Sequence, residues 1–206
     1  PKHLADLNLI KLFLNTMLLV FLSSILLISL SFISNYGNRV TRSKLLNILT
    51  TFSISGYAIP GIILAVAFIT FISWLDNNVI SFFGFKTIKS IFIGSVLGLI
   101  LVYFIRFYSL ASNGLKSGYL KINYSIDESA YLLGYSKFKT FTNIHIPYLK
   151  NSMLLIGILI AIEVIKELPI TLIMRPFNFE TFATTAYIFA SQDLLEAAAA
   201  PSLFLI

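Results

Sequence analysis

Four long stretches of the chain carry almost no charge, at about residues 12–33, 57–75, 90–110 and 151–174, and a fifth apolar run begins at about 199. None shows the apolar–polar alternation over about ten residues that marks a barrel strand. They are apolar all round, and in hydrocarbon each backbone N–H and C=O must find its partner within its own segment. The pattern therefore predicts helices. About 20 residues cross a bilayer, so the first four runs are read as membrane spans. The last, Pro201 to Ile206, is too short to cross, and the chain opens on Pro1 rather than Met. Both ends read as cut, and residues 1–206 as one partial transmembrane domain, its fifth span truncated at 199–206.

Composition agrees with that pattern. Hydrophobic residues make up 57% of the chain and charged residues 12%, against about 45–50% and about 25% in soluble domains. Too little charge is present to build a solvated surface over the whole chain. The formal net charge of +6 is read as loop charge rather than as a nucleic-acid surface. With no cysteine in the chain, disulfides and thiolate metal sites are excluded. The spans alternate sides, which places Arg39, Arg42, Lys44, Arg106, Lys116, Lys121, Lys137, Lys139 and Lys150 on one side, and Lys2, Lys11, Lys86, Lys89 and Arg175 on the other. Nine against five makes the first side cytoplasmic; Lys166 lies inside a span and is not counted.

The polar region 111–150 carries the most specific signal. Ser125 and Glu128 have the spacing of a capping box, Asp127 suits the positive end of a helix dipole, and Gly134 can close a helix in the left-handed conformation. This predicts a short helix over about 126–133 in a cytoplasmic loop, too small to be a domain and suited to docking. Pro147 fits the first turn of the next spanning helix.

At these residues the chain resembles the permeases of ATP-binding-cassette (ABC) importers. Their cytoplasmic motif reads Glu-Ala-Ala, three residues, Gly, nine residues, Ile-x-Leu-Pro. Here Glu128, Ser129 and Ala130 stand for the triplet, Gly134 follows, and Ile144 and Pro147 close the pattern, with Ser129 and Ile146 as departures. Three further stretches resemble the ferric-iron type: Lys166 to Thr181, Tyr57 to Gly61, and Glu196-Ala-Ala with Pro201. They resemble the C-terminal half of a fused two-half chain. The resemblance implies an all-α, polytopic transmembrane bundle of the type I, MetI-like kind, in the bacterial cytoplasmic (inner) membrane. It implies a transport subunit rather than an enzyme, with no cofactor or metal of its own. Its implied partners are separate ABC ATPase subunits that bind ATP, an extracytoplasmic substrate-binding protein and the other permease half. Ferric iron is the implied cargo; thiamine, polyamine, phosphonate and sulfate permeases share much of the pattern.

Glu163, Lys166 and Glu167 are the charges inside the fourth run. At helical spacing Glu163 can pair with Lys166. Two readings stay open: a lining of the translocation path, or a self-paired structural cluster near the outer end of the span. A membrane-embedded enzyme is the reading of another class, and Glu163 and Glu167 are the carboxylates it would need. No phosphate-binding Gly-rich lysine motif and no Ser/His/Asp set is present, so ATP hydrolysis is expected on another subunit. His145 has no partner at metal spacing and reads as polar surface. Gly94 and Gly98 have the small-xxx-small spacing of close helix packing. Trp74, Tyr57, Tyr103 and Tyr108 suit an interfacial belt. Asn123-Tyr-Ser125 matches a glycosylation acceptor, a chance match on a cytoplasmic loop.

Overall fold

The computed structural model describes residues 8–41, 43–80 and 89–206. Lys2, Arg42 and Lys86, counted above for sidedness, lie outside the described residues, as does most of the link 79–89 between the second and third runs. All regular structure among the described residues is helical. Four helical segments are long and apolar enough to cross a membrane: Leu9–Thr41, Gly61–Asn78, Val96–Tyr119 and Lys137–Lys166. The chain is a helical membrane protein.

In chain order the helices are α1 (Leu9–Thr41), α2 (Lys44–Ile54), α3 (Gly61–Leu75), α4 (Lys89–Phe92), α5 (Val96–Tyr119), α6 (Tyr124–Leu132), α7 (Lys137–Thr140), α8 (Ile146–Lys166), α9 (Pro169–Met174), α10 (Phe182–Ser191) and α11 (Leu195–Leu203). Ser55–Ala58 form a 3-10 turn between α2 and α3, and Phe141–His145 form a wide π turn that joins α7 to α8. The basic stretch 34–44 is largely a continuation of α1, and α5 runs on to Tyr119, so the polar loop is shorter than the apolar runs alone imply.

Helices α1, α5 and α8 pack pairwise and form the core. Leu19, Leu27 and Phe32 of α1 meet Leu99, Phe107, Ala111 and Leu115 of α5, and Leu149, Ile156 and Ile160 of α8. Steps of four, seven or eight residues, with one of five in α1, keep these positions on one side of each helix. The opposite faces stay apolar and exposed, at Phe21 and Ile25 of α1 and at Leu154, Ile158 and Leu159 of α8. Water would penalise such faces, whereas lipid matches them.

Close approach of α5 and α8 is set by Gly114 and Gly118. A Cβ at Gly114 would come within 2.6 Å of Ile156, and one at Gly118 within 2.9 Å of Leu149. This is the small-xxx-small contact of the bundle. The expectation for Gly94 and Gly98 is corrected: they shape the turn into α5. Gly94 has φ +68°, and a Cβ at Gly98 would strike the Phe92 carbonyl of its own chain. Tyr103 and Tyr108 are also corrected, since both are buried, whereas Trp74 and Tyr57 are exposed. The Tyr108 hydroxyl lies 2.6 Å from Ser34 Oγ, which satisfies a polar tip inside the core.

Helices α10 and α11 form a hairpin, with Phe182 stacked on Phe204 at 4.6 Å between ring centroids. The start of α10 is held to α1: Asn15 Nδ2 donates to the Glu180 carbonyl at 2.9 Å. The turn before it is closed by the Arg175–Glu180 ion pair.

Candidate functional site

Helix α6 emerges at the end of the bundle where α1 and α5 finish. Its N-cap is Asn123, whose Oδ1 accepts the Ser125 N–H at 3.2 Å. The capping-box expectation is corrected, because the helix starts two residues earlier than the Ser125–Glu128 box requires. Both of those residues are exposed. The glycosylation match was thus the visible trace of a cap. At the other end Gly134 has φ +81°. The Gly134 N–H donates to the Tyr131 carbonyl and the Tyr135 N–H to the Ala130 carbonyl, each at 3.0 Å. These two bonds form a Schellman closure, which needs the left-handed conformation glycine adopts without strain.

Asp127 fixes this helix to the spans. It is buried, and its Oδ2 accepts from Arg39 Nε at 2.6 Å while its Oδ1 accepts from His145 Nε2 at 2.8 Å. Arg39 stands near the end of α1 and His145 in the π turn before α8. Arg39 also donates to the Asn123 carbonyl at 3.0 Å and lies 4.3 Å from the centroid of the Tyr124 ring. One carboxylate therefore ties α6 to α1 and α8 together. A buried carboxylate is tolerated only when paired in this way. The reading of His145 as polar surface is overturned: it is fully buried, between the rings of Tyr36 and Tyr119 at 5.0 and 5.5 Å. Pro147 marks only the irregular backbone beside it. Proline lacks the N–H that would bond four residues back. The chain widens into a π turn just before it, with the Ile146 N–H bonded to the Phe141 carbonyl.

The remaining motif residues divide by face. Ala130 is buried and Ile144 half-buried, whereas Glu128, Ser129, Gly134 and Pro147 are exposed. At the free end of α6, Leu132 and Leu133 are 89% and 79% exposed, with Phe138 nearby in the chain at 75%. Large apolar side chains on a polar terminus, outside the long apolar faces, are the mark of a contact surface.

A second polar cluster lies inside the apolar stretches. Helix α8 ends at Lys166, and α9 begins at Pro169 after a break at Glu167 and Leu168. The backbone is likewise irregular at Ile59 and Pro60, between the 3-10 turn and α3. Arg106 of α5 joins the two breaks. Its Nη1 donates to the Ile59 carbonyl at 2.8 Å, and its Nε stands 3.2 Å from Glu167 Oε2. The other oxygen, Glu167 Oε1, accepts the Ile170 N–H at 3.2 Å, and Thr171 Oγ1 donates to the Glu167 carbonyl at 2.6 Å. Thr171 in turn is hydrogen-bonded to the buried Tyr103 hydroxyl. Gly61 permits the approach, since a Cβ there would lie 2.9 Å from Glu167 Oε1. Irregular backbone in an apolar stretch survives only when its freed groups are satisfied by protein or line a cavity, and these contacts supply that satisfaction.

The expected Glu163–Lys166 pair is not formed. Glu163 is half-buried, Lys166 exposed, and neither joins an ion pair among the described residues. The helix stops at Lys166, and the extended backbone at Glu167 turns its carboxylate toward Arg106. Arg106, counted above with the cytoplasmic charges, is the partner of Glu167 instead. No protein-family model matches the chain, and no curated protein matches it.

Proposed function

We propose that this chain is part of the membrane-spanning permease subunit of a bacterial ATP-driven ABC importer. Its bundle is of the type I, MetI-like kind and lies in the cytoplasmic membrane, with the α6 end facing the cytoplasm. The observation that carries this reading is α6 itself. It is capped at both ends, anchored by Asp127 to two spans, and leaves Leu132 and Leu133 exposed. A helix held that rigidly can pass a displacement at its exposed face to α1 and α8. In this reading the partner is an ATPase subunit that closes on ATP. The residues Glu128, Ser129, Ala130, Gly134, Ile144 and Pro147 form the coupling segment. An extracytoplasmic binding protein delivers the substrate at the opposite end, and a second permease half completes the path.

The broken helices at Arg106 and Glu167 are the element that rearranges. An ion pair across two helix breaks holds one arrangement and can be exchanged for another without exposing its charges to lipid. Ferric iron as cargo rests only on the resemblance of residues 166–181, 57–61 and 196–201.

The docking claim is tested with Leu132→Asp/Leu133→Asp, co-expressed with the ATPase subunit. The variant should insert in the membrane at the wild-type level, because both side chains are exposed. It should fail to co-purify with the ATPase and lose transport-stimulated ATP hydrolysis. Wild-type co-purification and stimulation would remove the basis for the proposal.

A further inference from the structure

A half-open cleft of about 620 Å³ lies between α1, α2 and the C-terminal end of α5, beside the base of α6. Its walls include Asn35 and Asn38 of α1, Asn47 and Thr51 of α2, Lys116 of α5 and Lys121 of the following turn, and no Asp or Glu is among its lining residues. Arg39 also reaches the cleft, but its charge is already taken up by Asp127. Lys116 and Lys121 form no ion pair among the described residues. Two unneutralised ammonium groups in a concave, carboxylate-free wall favour a compact oxyanion, and lysine binds phosphate as a point charge.

The uncharged wall narrows the ligand further. Asn38 Nδ2 donates to Thr50 Oγ1 at 3.2 Å, while its Oδ1 is buried without a partner. The rest of that wall, Asn35, Asn47 and Thr51, offers amide and hydroxyl groups that suit a ligand carrying hydroxyls of its own. We infer that this cleft binds the phosphate ester of a polyol, with the phosphate at Lys116 and Lys121 and the polyol hydroxyls along the Asn38–Asn47 wall. Two sources share that chemistry: a soluble glycerol or sugar phosphate, and the headgroup of an anionic glycerophospholipid. The site stands on the cleft alone. Only its assignment to the cytoplasmic face rests on the importer reading.

The test uses the purified protein without any ATPase, so that it is independent of transport. In neutral detergent, calorimetric titration with glycerol 3-phosphate should show saturable binding that weakens as salt rises. Lys116→Gln/Lys121→Gln should weaken it by about tenfold or more, since both charge pairs with the phosphate are lost. Asn47→Leu, which fills the cleft while keeping both lysines, should also weaken it. All three side chains are exposed, so the variants should fold. In a second arm the protein is reconstituted with phosphatidylglycerol or phosphatidylcholine, and the lipid retained after detergent extraction is measured. Selective phosphatidylglycerol retention lost in the same variants, with no glycerol 3-phosphate binding, assigns the cleft to a headgroup. Binding in neither arm, or binding in either that both variants leave unchanged, overturns the inference.

Discussion

At the scale of single residues, two carboxylates hold the candidate site together, and both act across the bundle rather than along their own helix. Glu167 is 7% exposed and faces Arg106 at 3.2 Å. Removing one partner of a buried pair strands the other charge. Arg106→Gln or Glu167→Gln should therefore cost about 3 kcal/mol, seen as a lower unfolding midpoint in detergent, whereas Arg106→Met/Glu167→Gln should recover much of the loss. Glu163→Gln and Lys166→Met, which break no ion pair, should each stay within about 0.5 kcal/mol of wild type. Equal losses for Glu163→Gln and Glu167→Gln would contradict the pairing described here. The double variant separates stability from function, because in the importer reading it folds but transports poorly.

At the scale of elements, helix ends matter more than helix interiors. Helix α6 has nine residues, too few to persist alone in water. It is held by Asn123, by Asp127 and by the Schellman turn at Gly134. Gly134→Val puts a β-branched residue at φ +81°, a region such residues avoid at a cost of about 1–3 kcal/mol. The Tyr135 amide, bonded to Ala130, should then exchange its hydrogen at least tenfold faster, and Gly134→Asn should be milder because Asn tolerates the left-handed region. Equal exchange rates in the valine variant and wild type would show that the turn does not depend on this conformation. The breaks at Pro60 and Glu167 are the complementary case. There helices end inside apolar stretches, and Arg106, Glu167 and Thr171 replace the lost backbone partners.

At the scale of the whole molecule, α6 and the loop 175–181 lie at opposite ends of the bundle. The chain leaves α8 through α9 to the Arg175–Glu180 turn, which is tied to α1 near its N-terminal end through Asn15. Arg39, near the other end of α1, holds α6. Single cysteines at Ser117 and Lys137 should label with a membrane-impermeant reagent only from the α6 side, and one at Asn178 only from the other. All three positions are exposed, so absence of labelling would not reflect burial. Labelling of Ser117 and Asn178 from the same side would break this arrangement of spans.

Residue order alone identifies the chain as a helical membrane protein. Apolar runs without alternation and with little charge have one low-energy form in lipid, whatever packs around them. It also located the short helix before Gly134, because caps and glycine stops are local chemistry. Which charges meet is settled by packing. Helical spacing offered Glu163 with Lys166, but the helix ends at Lys166 and the partner of Glu167 is Arg106, 61 positions earlier in the chain. Likewise, nothing local distinguishes a solvated histidine from one buried between two tyrosines, and His145 is placed by a π turn and by Asp127. Gly114 and Gly118 touch α8 whereas Gly94 and Gly98 do not, although the spacing is the same. Local spacing names the groups that could interact; the packing of α1, α5 and α8 selects among them, because a buried charge or a close approach is settled by which helix lies opposite.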